Sequence, residues 1–248
     1  MGEEAFLNAI KDAFFAYSNS GPRSNAKLKV LHGFIANDIK LLLENCNPKL
    51  NFEVISLNSN DDGTEEQVEG RYYPKKIDIV IKINNEIIAG IGLKFIMSNY
   101  YQNANNYFEN MLGETANIRS INLKYFQIHI IPYELPYFDN KNKIKRWEKL
   151  DCNRLKKYLR LSEDDSEKYF HTPDKTLLYI IEYPEELKEV TSKEEYVKKA
   201  DQMNREGIFN IKLLTSLDNG CLEKFGKTVI VNDYEGFIRK LVYSILSV

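Results

Sequence analysis

The chain is short of several things. It has no run of apolar residues long enough to span a bilayer and no secretory-leader pattern. Its three cysteines, Cys46, Cys152 and Cys221, are odd in number and far apart. That spacing argues against a disulfide framework or a zinc site and reads as reduced cytosolic thiols. There is no internal repeat, no glycine-rich phosphate loop and no Ser–His–Asp spacing. Charge of one sign is also missing: the net charge is −2. Any contact with nucleic acid must therefore come from local basic patches rather than from the whole surface. What remains is ordinary for a globular protein, with 43% hydrophobic and 28% charged residues. A length of 248 residues suits one sizeable domain.

The most informative stretch runs from Arg71 to Arg119. Ile77 to Ile83 (IDIVIKI) and Ile87 to Ile96 (IIAGIGLKFI) read as two strands joined by a turn at Asn84 and Asn85. Alternation predicts that Ile77, Ile79, Ile81 and Ile83 share an apolar face, as do Ile87, Ala89, Ile91, Leu93 and Phe95. Asp78 and Lys94 interrupt these strands. A charge on a buried strand is costly unless it is paired or binds an ion. Taken alone, the pair reads as an Asp–Lys salt bridge at a sheet end. From about Tyr100 a helix follows, with Ala104, Phe108, Met111, Leu112 and Thr115 on its core face. Glu109 lies on one flank of that face and Glu114 on the other. Asn103, Asn106, Asn110, Gly113 and Asn117 form a polar stripe. That stripe suits a subunit or DNA contact, or simply reflects a chain rich in Asn, Lys, Ile and Tyr.

Pro74-Lys75-Lys76-Ile77-Asp78 followed by Gly92-Leu93-Lys94 resembles the motif of the PD-(D/E)XK nucleases, and more closely their type II restriction endonucleases. The chain departs from the pattern at Gly92, where the family has an acidic residue. Some family members carry a small residue there and take the carboxylate from the following helix. Here that points to Glu109 first, with Glu114 as the alternative. The resemblance implies an α/β fold: a restriction-endonuclease-like core with a central mixed sheet flanked by helices. It implies Mg²⁺ held by Asp78 and the helix carboxylate, and Lys94 acting on the attacking water and the phosphate. It further implies double-stranded DNA as substrate, a homodimer, a paired DNA methyltransferase and a cytoplasmic location in a bacterium or archaeon. The alternatives are a non-catalytic DNA-binding protein on the same fold and a repair-type nuclease.

The rest of the chain supports this segment. Glu4 to Tyr17 and Lys27 to Glu44 read as helices, the first ended by Ser18 to Pro22. The second carries His32, read as packed or solvated, and Asp38 and Glu44 as candidates for an acidic residue near the site. Phe52 to Leu57 reads as a strand and Asn58 to Gly70 as a mobile acidic loop. Lys75 and Lys76, with Arg71, Tyr72 and Tyr73, form a basic and aromatic cluster suited to phosphate. Lys124 to Ile131 reads as a strand with a structural His129. Lys143 to Arg160 reads as a basic helix, in which Lys145, Arg146 and Lys149 are DNA-binding candidates alongside Asn103, Asn106 and Asn110. Thr176 to Tyr183, Ile208 to Leu214 and Lys227 to Val231 read as strands. Ser192 and Glu195 form a capping box, and Asp233 starts a closing helix, Tyr234 to Leu246. The expectation is one domain, 1–248, with a catalytic core at about 27–132 and a recognition or extension region at 143–248.

Overall fold

Isoleucine-rich runs that are apolar on both pleats need cover on both faces, and they find it in a mixed sheet sandwiched by helices. The computed structural model describes residues 2–20, 25–60 and 62–247. The sheet has seven strands: β1 (Phe52–Ser56), β4 (Ile79–Ile83), β5 (Glu86–Phe95), β6 (Lys124–Pro132), β9 (Lys175–Glu182), β10 (Lys212–Leu213) and β11 (Val229–Val231). Their order is β1-β4-β5-β6-β9-β10, with β11 also paired to β9. The β4 strand runs antiparallel to both its neighbours, β1 and β5, whereas β5, β6 and β9 are parallel neighbours. Strands from the C-terminal half thus extend the same sheet.

The sheet feeds a core on each of its faces. On one face Ile79, Ala89, Ile91, Phe126 and Tyr179 pack under α1 (Glu3–Ser20), α2 (Ala26–Cys46), α5 (Lys193–Arg205) and α6 (Tyr234–Leu246). On the other, Ile131, Leu178 and Ile180 pack under α3 (Tyr100–Arg119) and α4 (Cys152–Glu163). The hairpin turn is built by Asn84 and Asn85, both at positive φ (50° and 68°), the backbone that a two-residue turn between twisted strands requires. Asp151, Ser192 and Asp233 each accept a bond from a backbone N–H in the first turn of α4, α5 and α6. Among the described residues no helix is long and apolar enough to cross a membrane.

Several expectations are corrected. The run from Ile77 to Ile83 is not one strand: the chain bends at Asp78, and β3 (Pro74–Ile77) pairs instead with β2 (Glu66–Glu69). The expected acidic loop therefore contains a strand. Ile77 leaves the Ile79 face and packs with Val68, Val80, Ile118 and Tyr125. A register shift beside Ile81 and Lys82 reverses the expected sides of Ile87 and Ile88. The basic helix begins only at Cys152, where Asp151 caps it; Ile144–Lys149 is a strand, β8, paired with β7 (Glu134–Phe138). Trp147 and Glu148 are held there by pairing across the hairpin, which helical periodicity does not reveal. Ile208 to Leu214 contributes only the two residues of β10. Cys152 and Cys221 are disulfide-bonded rather than reduced: 69 residues apart in sequence, their Cα atoms lie 5.9 Å apart. The first helix runs on to Ser20, and the expected stop at Gly21 and Pro22 lies outside the described residues.

Candidate functional site

Asp78 stands at the bend between β3 and β4, where the chain passes from the small hairpin into the central sheet. Its Oδ2 accepts a 2.6 Å hydrogen bond from the Leu93 backbone N–H of β5. That bond ties the aspartate to the strand carrying Lys94. Burial pushes the Asp78 carboxyl up to about 6; the Leu93 bond opposes this, Glu114 adds to it, and Lys75 and Lys94 pull it down. A carboxyl poised near neutrality in a cleft is characteristic of functional sites.

The cleft in front of Asp78 has a volume of about 350 Å³ and is lined by Lys75, Lys76, Lys94, Asn110, Glu114 and Gln127 among others. Asp78 and Lys94 do not form the salt bridge that the two charges alone suggested. The Lys94 Nζ sits instead over the Tyr107 ring, 4.7 Å from its centroid. Glu114 faces the cleft and pairs with Lys75. Glu109 is exposed on the other flank of α3, where its charge acts on Lys157. Helix orientation thus brings Glu114, not Glu109, to Asp78. Of the asparagine stripe, Asn110 lines the cleft and Asn106 is exposed. Asn103 bonds back to the Asn99 carbonyl. Asn117 is buried and braces the backbone. Its side chain accepts from the Tyr72 N–H and donates to the Tyr73 carbonyl, fixing the segment that leads into Asp78.

Behind Asp78 lies a group that sequence reasoning missed. His32 is fully buried on α2, and among the described residues neither ring nitrogen has a hydrogen-bond partner. Its Nε2 lies 3.9 Å from Asp78 Oδ1. Glu66 pairs with Ile77 across the small hairpin, so Glu65, one step beyond, comes level with Asp78. One ligand atom each from His32, Glu65 and Asp78 falls within 4.8 Å of the others. Burial lowers His32 to about 4, with Glu65 opposing, so the imidazole is neutral and free to donate a lone pair. Two carboxylates and one orphaned imidazole fit a divalent cation. The oxygens suit Mg²⁺, and the nitrogen suits Mn²⁺ or Zn²⁺ better. The one signal in the sequence was position, since His32 falls on the apolar stripe of α2 with Leu31, Ile35 and Ile39. Asp38 and Glu44 do not join the group: Asp38 accepts from the Tyr234 hydroxyl and Glu44 is exposed.

A second concavity, of about 910 Å³, separates α3 from α4. Tyr101, Phe108, Arg154, Lys156, Lys157 and Arg160 line it. The expected DNA-binding residues Lys145, Arg146 and Lys149 belong to neither concavity. They are exposed on β8, where Arg146 pairs with the buried Glu148 and lies over Tyr137, and Lys149 lies over Tyr133. Set against known proteins, the chain matches no family model, no curated protein and no solved structure.

Proposed function

We propose that the protein is a metal-dependent endonuclease that hydrolyses phosphodiester bonds of double-stranded DNA at specific sites, on a restriction-endonuclease-like core. The observation that carries this reading is the convergence on one short cleft of Asp78, Lys94 and Glu114, with His32 and Glu65 directly behind. The succession α2, β1, β4, β5, α3, β6 in the central sheet supports it. Asp78 would hold the cation together with Glu65 and His32, and Glu114 would flank the cleft from α3. When bound, such a cation lowers the pKa of a water and neutralises charge on the phosphate.

Lys94, freed from Asp78, would orient the attacking water and stabilise the developing negative charge. Lys75 and Lys76 would fix the phosphate backbone at the cleft mouth. Mg²⁺ is the expected ion, with Mn²⁺ an equally good match to the donors. A homodimer on a short symmetric site, guarded by a paired methyltransferase, belongs to the same reading. Gly92 favours a second reading, a DNA-binding protein without cleavage, because the family's acidic side chain is absent there. Incubating purified protein with unmethylated phage DNA separates the two. Discrete fragments with Mg²⁺ or Mn²⁺ and none with EDTA are expected; binding without cleavage on varied DNA would select the second reading.

A further inference from the structure

Gly92 leaves room that another side chain has taken. It pairs in register with Gln127 of the neighbouring strand β6. A Cβ added at Gly92 would lie 2.8 Å from the Tyr125 hydroxyl and 2.9 and 3.0 Å from Gln127 Oε1 and Nε2. An acidic side chain at 92 and Gln127 in its present place are therefore mutually exclusive. Gln127 is only 3% exposed, yet it lines the cleft with Asp78 and Lys94; the Tyr125 hydroxyl lies beside its amide, and among the described residues its Nε2 makes no well-formed hydrogen bond. A buried amide carries two donor hydrogens and is normally satisfied, so one left unsatisfied in the wall of a cleft can take an acceptor that enters it. An N–H₂ group cannot ligate a cation; it can bond an anionic oxygen. The rest of the lining agrees, since Lys27, Lys75, Lys76 and Lys94 outnumber the carboxylates of Asp78 and Glu114.

We propose that Gln127 is a substrate contact, its Nε2 donating to a phosphoryl oxygen of the bound DNA strand at the place where the family's acidic ligand would otherwise stand. The assignment rests on the nuclease reading. It has a consequence for that reading: the position beside Gly92 serves the phosphate rather than a second metal ion, and the cation is held from the His32 and Glu65 side alone.

The test uses the full chain and two readouts that do not need cleavage. Affinity for a labelled duplex oligonucleotide is measured by anisotropy in EDTA, and affinity for Mn²⁺ by electron paramagnetic resonance. Gln127→Leu, which removes the donor, is expected to weaken duplex binding about tenfold and leave Mn²⁺ binding as in the wild type. Gln127→Glu keeps the volume and places a negative charge against the phosphate, so its duplex affinity falls further. This variant serves if leucine disturbs folding. Duplex binding by Gln127→Glu equal to wild type overturns the assignment, as does a loss of Mn²⁺ affinity in Gln127→Leu with duplex binding intact. Absence of duplex binding by the wild-type protein removes the nuclease reading itself, and the Gln127 contact with it.

Discussion

The Asp78 cleft and the α3–α4 groove lie on opposite flanks of one helix and are built on different principles. The cleft is the smaller, about 350 Å³ against about 910 Å³. Its polar groups come from the strands and from the helices α2 and α3 packed against them, and two of these groups are perturbed: a carboxyl raised to about 6 and an orphaned imidazole lowered to about 4. The groove takes its cations from one exposed face of α4. Lys156 and Arg160 are exposed and carry no ion pair among the described residues. The carboxylates there are occupied, Asp151 by capping α4 and Asp164 by the Thr172 hydroxyl. Arg154 lies over Tyr101, and the Lys157 Nζ is 5.5 Å from the Phe108 ring centroid. On the proposed nuclease reading, the difference separates two roles. Groups for bond chemistry need positions fixed by a rigid sheet, whereas groups that grip a polyanion need only charge and reach.

The largest effects should come from the cleft. Asp78→Asn and Lys94→Ala are each expected to lower the DNA cleavage rate by about 10³-fold while leaving duplex affinity in EDTA nearly unchanged. Full activity in either variant would dissolve the distinction between the two regions. The two flanks of α3 offer a finer cut. Glu114→Gln should leave Mn²⁺ affinity nearly unchanged, the cation being held from the His32 and Glu65 side, but should lower the DNA cleavage rate by about tenfold or more, since Glu114 faces the cleft. Glu109→Gln, on the exposed flank, should leave that rate as it was.

The groove should show the converse, smaller effect. Lys156→Glu with Arg160→Glu is expected to weaken duplex binding about tenfold and to lower the salt-dependence slope by about 2. The single-turnover cleavage rate at saturating protein should stay at the wild-type value. An unchanged salt slope would remove the groove from the DNA path.

How much of this was legible in the chain follows from the range of each signal. The Asn84–Asn85 hairpin, the caps at Ser192 and Asp233 and the paired interruptions at Asp78 and Lys94 are local, and the residues alone located them. The helix ending in Glu163 was half read. Its Asp151 cap went unnoticed inside a continuous basic run, and β8 was absorbed into the helix. Long-range pairing was invisible. Nothing adjacent to His32 announces Asp78, 46 positions on, because their meeting depends on α2 packing over the strand end. The Gly92–Gln127 exchange depends likewise on the register of two parallel strands separated by a helix. Composition hid the stripe too: Asn117 holds backbone, whereas Asn106 faces solvent, though both fall on the same helical repeat.

The last expected effect is on stability, and it again divides the molecule. His32 and His129 are buried and lowered to about 4 and about 3, chiefly by burial. A group whose folded pKa is depressed favours folding above its unfolded pKa and loses that contribution as pH falls. Both histidines therefore withdraw stability below about pH 6.5, each by up to about 1.4 kcal/mol per pH unit. Asp78 acts in the opposite sense. Its folded pKa is raised, so it favours folding at low pH and loses that contribution as pH rises from about 3.8 to about 6. In the metal-free protein Asp78 should thus offset about one of the two histidines. Urea midpoints should be lower at about pH 4.5 than at about pH 7 in the wild type, and lower still in Asp78→Asn, which lacks the compensating proton. The lysine and arginine reversals in the groove should leave that difference between the two pH values as it is in the wild type. Equal acid sensitivity in the wild type and Asp78→Asn would mean that the carboxyl is not held protonated by its burial, and the electrostatic contrast between cleft and groove would lose its strongest member.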